Sequence, residues 1–528
     1  MLFDKCYGKV NIFLFSVFLC LVSVLQVFAQ GQPGAVNFKD NPALPEGVKG
    51  ERIKAFIVAV NSQQPDRIRE FFEKNCTEKF KNFAPMDQHI SIFQRFYQDT
   101  GGVEFQSVRS FVPEVRNVTA IIVKGRTIGT WRVNFMWLKV KDALLIDGIN
   151  MQVERPSVTH SGPALSEEGF LQNLRELMGK FIENDMFSGS LLVARGDEVL
   201  LTMAGGEASK RFHVPNNINT KFNLGSMNKM FTATSIMQLV ETGKLSLDDP
   251  ISKYVDESWL DKEISSKITI HHLLCHTSGL GSYFNDSFMK GSRALFRDLN
   301  DFKPLVKDEK PAFEPGTGFQ YSNTGMLLLG VVIESVTGKS YFDYVCENVF
   351  DAAGMVNSDS YEMDYPVENL AIGYSRDNKS PYGWQNNLYK HVIKGGPAGG
   401  GFSTVHDLHH FAMAMKAGKL VSSESLDEMW KIHGGRNYGY GFVIENGHNG
   451  KVVGHSGGFP GINSILKIYL DKDYIVAVMS NYDGAATAVA QEIDNLILRE
   501  GPYLKISIHD ERHKDNCGQS STEDVSAS

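Results

Sequence analysis

The chain has 528 residues, of which 42% are hydrophobic and 22% charged, with a formal net charge of -8. That length accommodates about two to four domains with sizeable cores. The acidic balance and the lack of any basic run argue against nucleic acid as a partner.

Residues 1–29 read as a secretory signal. Lys5 and Lys9 make a short basic start, Ile12 to Val24 is almost unbrokenly apolar, and Val27-Phe28-Ala29 precedes the expected cut. The alternative is an uncleaved anchor, because the run is only just long enough to span a membrane. Membrane proximity is thus expected through the N-terminal segment alone, and Val17-Phe18-Leu19 ahead of Cys20 suits lipoprotein processing badly. Export to the periplasm or the extracellular space is the expectation. Beyond the signal, Cys76, Cys275, Cys346 and Cys517 lie far apart with no tight framework. They read as buried small residues, or for Cys517 as an exposed thiol.

Residues 30–46 are polar, contain Pro and Gly, and are expected to form a linker. Residues 47–155 are expected to fold as a small α+β domain. Ile53, Phe56, Ile57 and Val60 fall on one helix face; Pro65 can start a second helix with Ile68, Phe71 and Phe72 inward. Ile90, Phe93, Phe96 and Tyr97 mark a third. The period then changes to two in Trp131, Val133, Phe135 and Trp137, and again in Ile149, Met151 and Val153. Three helices followed by about four strands resemble, in layout, the cone-shaped domains related to nuclear transport factor 2. That resemblance implies a curved sheet wrapped on a long helix, serving ligand binding or domain packing.

After a second linker, residues 165–503 are expected to form one large domain. A helix (Phe170, Leu174, Leu177, Phe181) leads to a hairpin, Ser190–Arg195 and Val199–Met203, about Gly196-Asp197. A helix then begins near Ser226, with Phe231, Thr234, Met237 and Val240 on its apolar face and Gly243 placed to end it. A helical, loop-rich stretch runs from Asp248 to Tyr389. Strands return at Tyr438–Ile444, Ile462–Leu470 and Tyr474–Asn481, with Asn446-Gly447 as a hairpin turn. A last helix spans Ala485–Leu498. Sheet at both ends with helices between them predicts an antiparallel sheet flanked by helices and carrying a helical insertion. Residues 504–528 are polar and charged, and are expected to be disordered.

Three constellations carry chemistry. Ser226-x-x-Lys229 puts a hydroxyl and an amine on one helix face, and a lysine whose pKa is lowered by burial can activate a serine. Tyr321-x-Asn323 follows the turn Glu314-Pro315-Gly316, and in an extended stretch both side chains point the same way. A phenol can shuttle a proton and an amide can hold an amine. Gly454-His455-Ser456-Gly457-Gly458 matches the Gly-x-Ser-x-Gly nucleophile elbow, but its context is strand to strand rather than strand to helix. The histidines after it, His509 and His513, lie in the expected tail.

With these three motifs in this order, residues 165–500 resemble the serine β-lactamases and penicillin-recognising enzymes, closest to class C β-lactamases and their esterase and peptidase relatives. Leu273 to Leu280, Pro315 to Gly330 and Gly399 to Thr404 add stretches of familiar form. The resemblance implies the β-lactamase/transpeptidase-like fold and an acyl-enzyme on Ser226. It implies Lys229 and Tyr321 as the proton-relay pair, either of them the acylation base, and Asn323 orienting Lys229 and the acyl amide. His455 and Gly457 would bind substrate, the backbone N–H groups of Ser226 and Gly458 would form the oxyanion hole, and no metal or organic cofactor is implied. Where β-lactamases usually have Lys-Thr-Gly this chain has His455-Ser456-Gly457. A histidine is only partly charged, which favours an esterase, amidase or D-aminoacyl peptidase and predicts better processing of carboxylate substrates at mildly acid pH.

The expected function is an exported serine hydrolase acting on an ester or amide carbonyl in a small molecule or peptide. The alternatives are a β-lactamase or peptidoglycan D,D-carboxypeptidase, and a catalytically silent protein binding muropeptide or acyl ligands. His271, His272, Cys275 and His276 have zinc-like spacing but no accompanying carboxylate. His406, His409 and His410 read as a helix surface capped by Ser403 or Thr404. Gly395 to Gly401 lacks a Lys-Ser/Thr ending and is read as a turn-rich segment rather than a nucleotide loop.

Overall fold

The computed structural model describes residues 37–112, 117–126, 129–141, 143–153, 164–377 and 380–499. The expected signal and tail lie outside these. Two compact units meet in sequence at Arg155–Pro156, each with its own core.

The first unit is built from helices α1 (Val48–Ser62), α2 (Pro65–Asn75) and α3 (Met86–Thr100), then the meander β2 (Val103–Val112), β3 (Val118–Gly125), β4 (Thr130–Val140) and β5 (Ala143–Val153). Its sheet, with β1 (Asn37–Asn41) at one edge, is antiparallel in the order β1-β2-β3-β4-β5, with register shifts at Phe105/Ser107 and Met136/Trp137 that bend the strands. Phe56 on α1 meets Phe93 of α3 and Phe135 of β4 edge-on, each with ring centroids 5.2 Å apart. The expected linker proves to contain a strand: β1 (Asn37–Asn41) pairs along β2. Its polarity hid it, because what holds it is an ion pair rather than an apolar face. Arg109 donates from Nε and Nη2 to the two Asp40 carboxylate oxygens at 2.8 and 2.7 Å and lies 3.6 Å over the Phe38 ring.

The second unit has a six-stranded antiparallel sheet in which both ends of the segment meet. β6 (Gly189–Arg195) and β7 (Glu198–Gly205) form the early hairpin; β8 (Val443–Gly447), β9 (Gly450–Phe459), β10 (Ile462–Tyr469) and β11 (Tyr474–Ser480) form the late meander. The order is β8-β9-β10-β11-β6-β7. Every residue of β10 and β11 is buried, so helices must cover both faces. α4 (Glu167–Glu183) packs on α8 (Ala485–Arg499), which lies along β10 and β11, while α7 (Val405–Lys416) packs on β11 and β6. Between hairpin and meander run α5 (Asn228–Glu241) and α6 (Asn323–Thr337), packed on each other. α5 is buried on nearly all sides, the mark of a helix enclosed by protein. Gly243, at φ 65°, follows its end.

Three local expectations change. Tyr438–Ile444 is not one strand: Gly441, at φ 74°, turns the chain and the strand begins at Val443. The β8–β9 turn moves to His448-Asn449, because Asn446 and Gly447 pair with Lys451 and Gly450. His409 is buried rather than on a helix surface, its Nε2 2.9 Å from the Gly196 carbonyl at the β6–β7 turn. Gly450 to Phe459 and Ile462 to Tyr469 run strand to strand through Pro460-Gly461, the context in which an elbow cannot form.

Candidate active site

Ser226 sits in a single 3₁₀ turn, Gly225–Met227, that leads into α5. Gly225 has φ 53°, and a Cβ there would come within 3.0 Å of Gly457 Cα and Gly458 N. A glycine is therefore required for β9 to lie directly on the serine turn. A Cβ at Gly457 would meet the Leu224 carbonyl oxygen at 1.9 Å, so the approach is tight from both sides. It brings the Gly458 and Ser226 backbones to the wall of one cleft.

One helical turn on, Lys229 is fully buried. Its Nζ donates to Asn323 Oδ1 at 2.9 Å and to the Ala398 carbonyl, and lies 3.1 Å from Ser226 Oγ. Burial holds this amine well below the ordinary lysine range, because the surroundings disfavour the charged form. Asn323 opens α6 behind the Ser322 cap, whose hydroxyl accepts from Gly325 N–H at 2.8 Å. The other end of the Asn323 amide donates to Ser282 Oγ at 3.1 Å, so its orientation is set by both neighbours.

The Tyr321 ring lies 4.8 Å from Lys229 Nζ and is 39% exposed. Burial around its hydroxyl raises the phenol above its usual range, opposed by a hydrogen bond with Ser226. The Tyr-x-Asn spacing thus brings both side chains to Lys229.

His455 stands elsewhere than expected. It is 5% exposed, its Nδ1 donates to the Ser456 carbonyl at 2.6 Å, and its Nε2 therefore accepts from Tyr438 Oη at 3.1 Å. Burial, and then the Lys229 charge, hold its pKa down to about 3. A neutral imidazole with both nitrogens engaged cannot anchor a carboxylate. Neither His455 nor Gly457 lines the cleft, and the expected gain with carboxylate substrates at mildly acid pH loses its basis. Ser456, alternating with His455 on β9, is exposed.

Two parts of the site went unread in the sequence. His276 is buried at φ 61°, its ring 4.4 Å from that of Tyr321. It accepts the Ser322 N–H on Nδ1 at 3.2 Å and the Gln320 N–H on its carbonyl at 2.9 Å, clamping the chain on either side of Tyr321. The other zinc-like residues serve locally: His272 caps its helix at Thr269, while His271 Nδ1 lies 2.6 Å from Tyr440 Oη. The glycine-rich segment is the second part. Asn228 Nδ2 and Thr232 Oγ1 donate to the Gly396 and Pro397 carbonyls at 2.7 and 2.9 Å, beside the Lys229 bond to Ala398. Three polar groups of α5 thus hold three successive carbonyls. The clue was the density of glycine, since Gly400 and Gly401 have φ of 93° and 73° and Gly400 N–H reaches the Gly225 carbonyl at 3.1 Å.

Ser226 lies in the lining of a cleft. Tyr283, Phe284, Phe288, Val392, Phe459 and Ile462 make its apolar walls; Asn223, Asn323 and His391 are the polar side chains lining it besides Ser226. Among the described residues no Lys or Arg lines it. A buried amine bonded to a serine hydroxyl, beside a phenol and in a cleft lined by Ser226 and Gly458, can support attack on a carbonyl.

Residues 170–499 match the Beta-lactamase family model. Penicillin-binding protein 4* of Bacillus subtilis (strain 168) is 31% identical over 346 residues, 61% of this chain and 75% of that protein. The crystal structure of a penicillin binding protein from Bacillus halodurans is 31% identical, covers 63% of this chain and 99% of its own, and superposes with a TM-score of 0.55. A D-stereospecific amidohydrolase from Streptomyces sp. is 25% identical over 62% of this chain and 98% of its own, with a TM-score of 0.51. The chain belongs to the Beta-lactamase family and is a serine hydrolase of that fold.

Proposed function

We propose that the protein is an exported serine hydrolase that cleaves esters or amides of apolar and aromatic acyl groups, D-aminoacyl derivatives among them, through an acyl-enzyme on Ser226. The observation that carries this reading is a buried, weakly basic Lys229 amine bonded to Ser226 Oγ beneath an aromatic cleft that, among the described residues, no Lys or Arg lines. Export rests on the apolar N-terminal segment and its flanking residues.

In this reading the neutral Lys229 amine takes the Ser226 proton as Oγ attacks the carbonyl carbon. The oxyanion is held by the N–H groups of Ser226 and Gly458, each such donor worth on the order of a hundredfold in rate. Tyr321 starts as a neutral phenol, because burial opposes its ionisation, and relays a proton: it protonates the leaving group as the Lys229 ammonium returns a proton to it, so both groups end neutral. This assigns the base to Lys229 rather than Tyr321. Walls of Tyr283, Phe284, Phe288 and Phe459 favour an apolar side chain, each buried group contributing about 1.5–3 kcal/mol. The similarity to the Streptomyces amidohydrolase supports the D-aminoacyl amide class.

A penicillin-recognising or D,D-peptidase role is the second reading, favoured by the 31% identity to Penicillin-binding protein 4*. Labelling with fluorophosphonate and fluorescent penicillin probes separates the two. Fluorophosphonate adducts that vanish in Ser226→Ala support acyl transfer, and rapid penicillin labelling at micromolar probe favours the second reading. No labelling of folded wild-type protein by either probe would sink the enzyme mechanism and leave a ligand-binding role. Lys229→Arg, which retains charge but cannot give up its proton, should lower kcat/KM for p-nitrophenyl esters by roughly 10²–10⁴-fold. Retention of a tenth of wild-type activity would exclude Lys229 as the base.

A further inference from the structure

Acylation uses Ser226, Lys229 and Tyr321, but the second half of the reaction needs a group that activates water, and one candidate among the residues lining the cleft is unused. His391 is 9% exposed and lines the Ser226 cleft with Asn223, Asn323, Gly399 and Gly458. It also lines a second cavity, with room for about one water, together with Asn223, Asn387, Ser480 and Asn481. That lining is polar, and the buried Asn481 Oδ1 has no hydrogen-bond partner among the described residues, the kind of setting in which proteins hold water. His391, Asn223 and Ile462 are common to both cavities, so His391 stands where they adjoin.

The ring is also oriented. His391 Nδ1 lies 3.0 Å from the Val392 carbonyl. A carbonyl only accepts, so Nδ1 carries the proton and Nε2 carries the lone pair. Among the described residues no donor occupies Nε2. The segment is braced by Arg293, whose guanidinium donates from Nε to the Lys390 carbonyl at 3.2 Å and from Nη1 to the Phe288 carbonyl. One side chain thus ties the His391 segment to the aromatic wall of the cleft. Burial holds the imidazole below its ordinary pKa, which keeps it neutral in the range where a base is needed.

We propose that His391 is the general base of deacylation, taking a proton on Nε2 from a water at the junction of the two cavities. As that proton moves, the water oxygen bonds to the acyl carbonyl carbon and the oxyanion forms on the Ser226 and Gly458 N–H groups. The C–Oγ bond then breaks, Oγ takes the proton back from the imidazolium, and the carboxylic acid leaves.

This proposal rests on the acyl-enzyme reading of Ser226, and the test distinguishes the two. Full-length wild type, His391→Asn and His391→Gln are mixed with p-nitrophenyl butyrate in a stopped-flow instrument, and the intact mass is followed in parallel. The expected result for both variants is a burst of one equivalent of p-nitrophenol at a rate within about threefold of wild type. Turnover should then slow by roughly a hundredfold or more, with a butyryl adduct on Ser226. Hydroxylamine, which attacks esters without a general base, should restore turnover in the variants far more than in wild type. Deacylation within threefold of wild type, a raised KM with no adduct, or loss of the burst in both variants would overturn the role of His391. Failure of wild type itself to acylate would instead overturn the reading of Ser226.

Discussion

At the scale of single residues, charge is governed by enclosure. Lys229 and His455 are both basic groups whose protonated forms are disfavoured by burial, but they differ in what they face. Lys229 touches the serine hydroxyl, whereas His455 is closed off by Tyr438 and its own strand. Acylation should therefore fall as pH drops through the depressed pKa of Lys229, with no ionisation of His455 between pH 5 and 8. His455→Gln, which can still accept from Tyr438, should leave the pH of half-maximal kcat/KM within about 0.3 units of wild type. A shift of a full unit would show that His455 titrates with the site. His276, itself at a positive φ that a bulky residue rarely adopts, acts differently, by holding the backbone on either side of Tyr321. His276→Asn retains a local acceptor and tolerates that φ, so it should keep at least several-fold more kcat than His276→Ala with little difference in KM. Equal kcat in the two variants would remove the positioning role.

At the scale of elements, the site is a meeting of backbones. The serine turn, β9 and the glycine segment approach so closely that Gly225 and Gly457 have no room for a side chain. Gly225→Ala adds a methyl against the Gly457 and Gly458 backbone at a residue with φ 53°. It should push β9 outward, lower kcat for esters by roughly ten- to a hundredfold through the Gly458 N–H, and cost about 1–3 kcal/mol. A fluorophosphonate labelling rate equal to wild type would show that β9 does not set the oxyanion geometry. The hairpin β6–β7, the strands β10 and β11, and the terminal helix α8 were all legible, because each is a local pattern of turn residues, an apolar run or a helical period. β1 was not. Its pairing depends on Arg109, nearly seventy residues away, and its own residues are polar.

At the scale of the whole molecule, buried bases also make folding depend on pH. The folded-state pKa of His455 is depressed to about 3, below the ordinary value of about 6.5. As pH falls through 6.5 the unfolded chain takes up the proton first, so this contribution is complete above that pH and is lost progressively toward about pH 3. At pH 5 the loss from this one group is roughly 2 kcal/mol. Urea midpoints at pH 7 and pH 5 should therefore differ less in His455→Gln than in wild type; an equal difference would place the sensitivity in other groups. The sequence by itself determined the order of the motifs, the helix that follows Ser226 and carries Lys229, and the antiparallel sheet built from both ends of the larger unit. These are set by spacing, by hydrophobic period and by turn chemistry, all of which act within a few residues. Only the tertiary structure decided that His455 is enclosed, that His276 braces Tyr321, and that His391 opens onto the cleft. Enclosure, tautomer and the direction of a lone pair depend on which distant carbonyls and rings surround a side chain, and no local pattern in the chain encodes them.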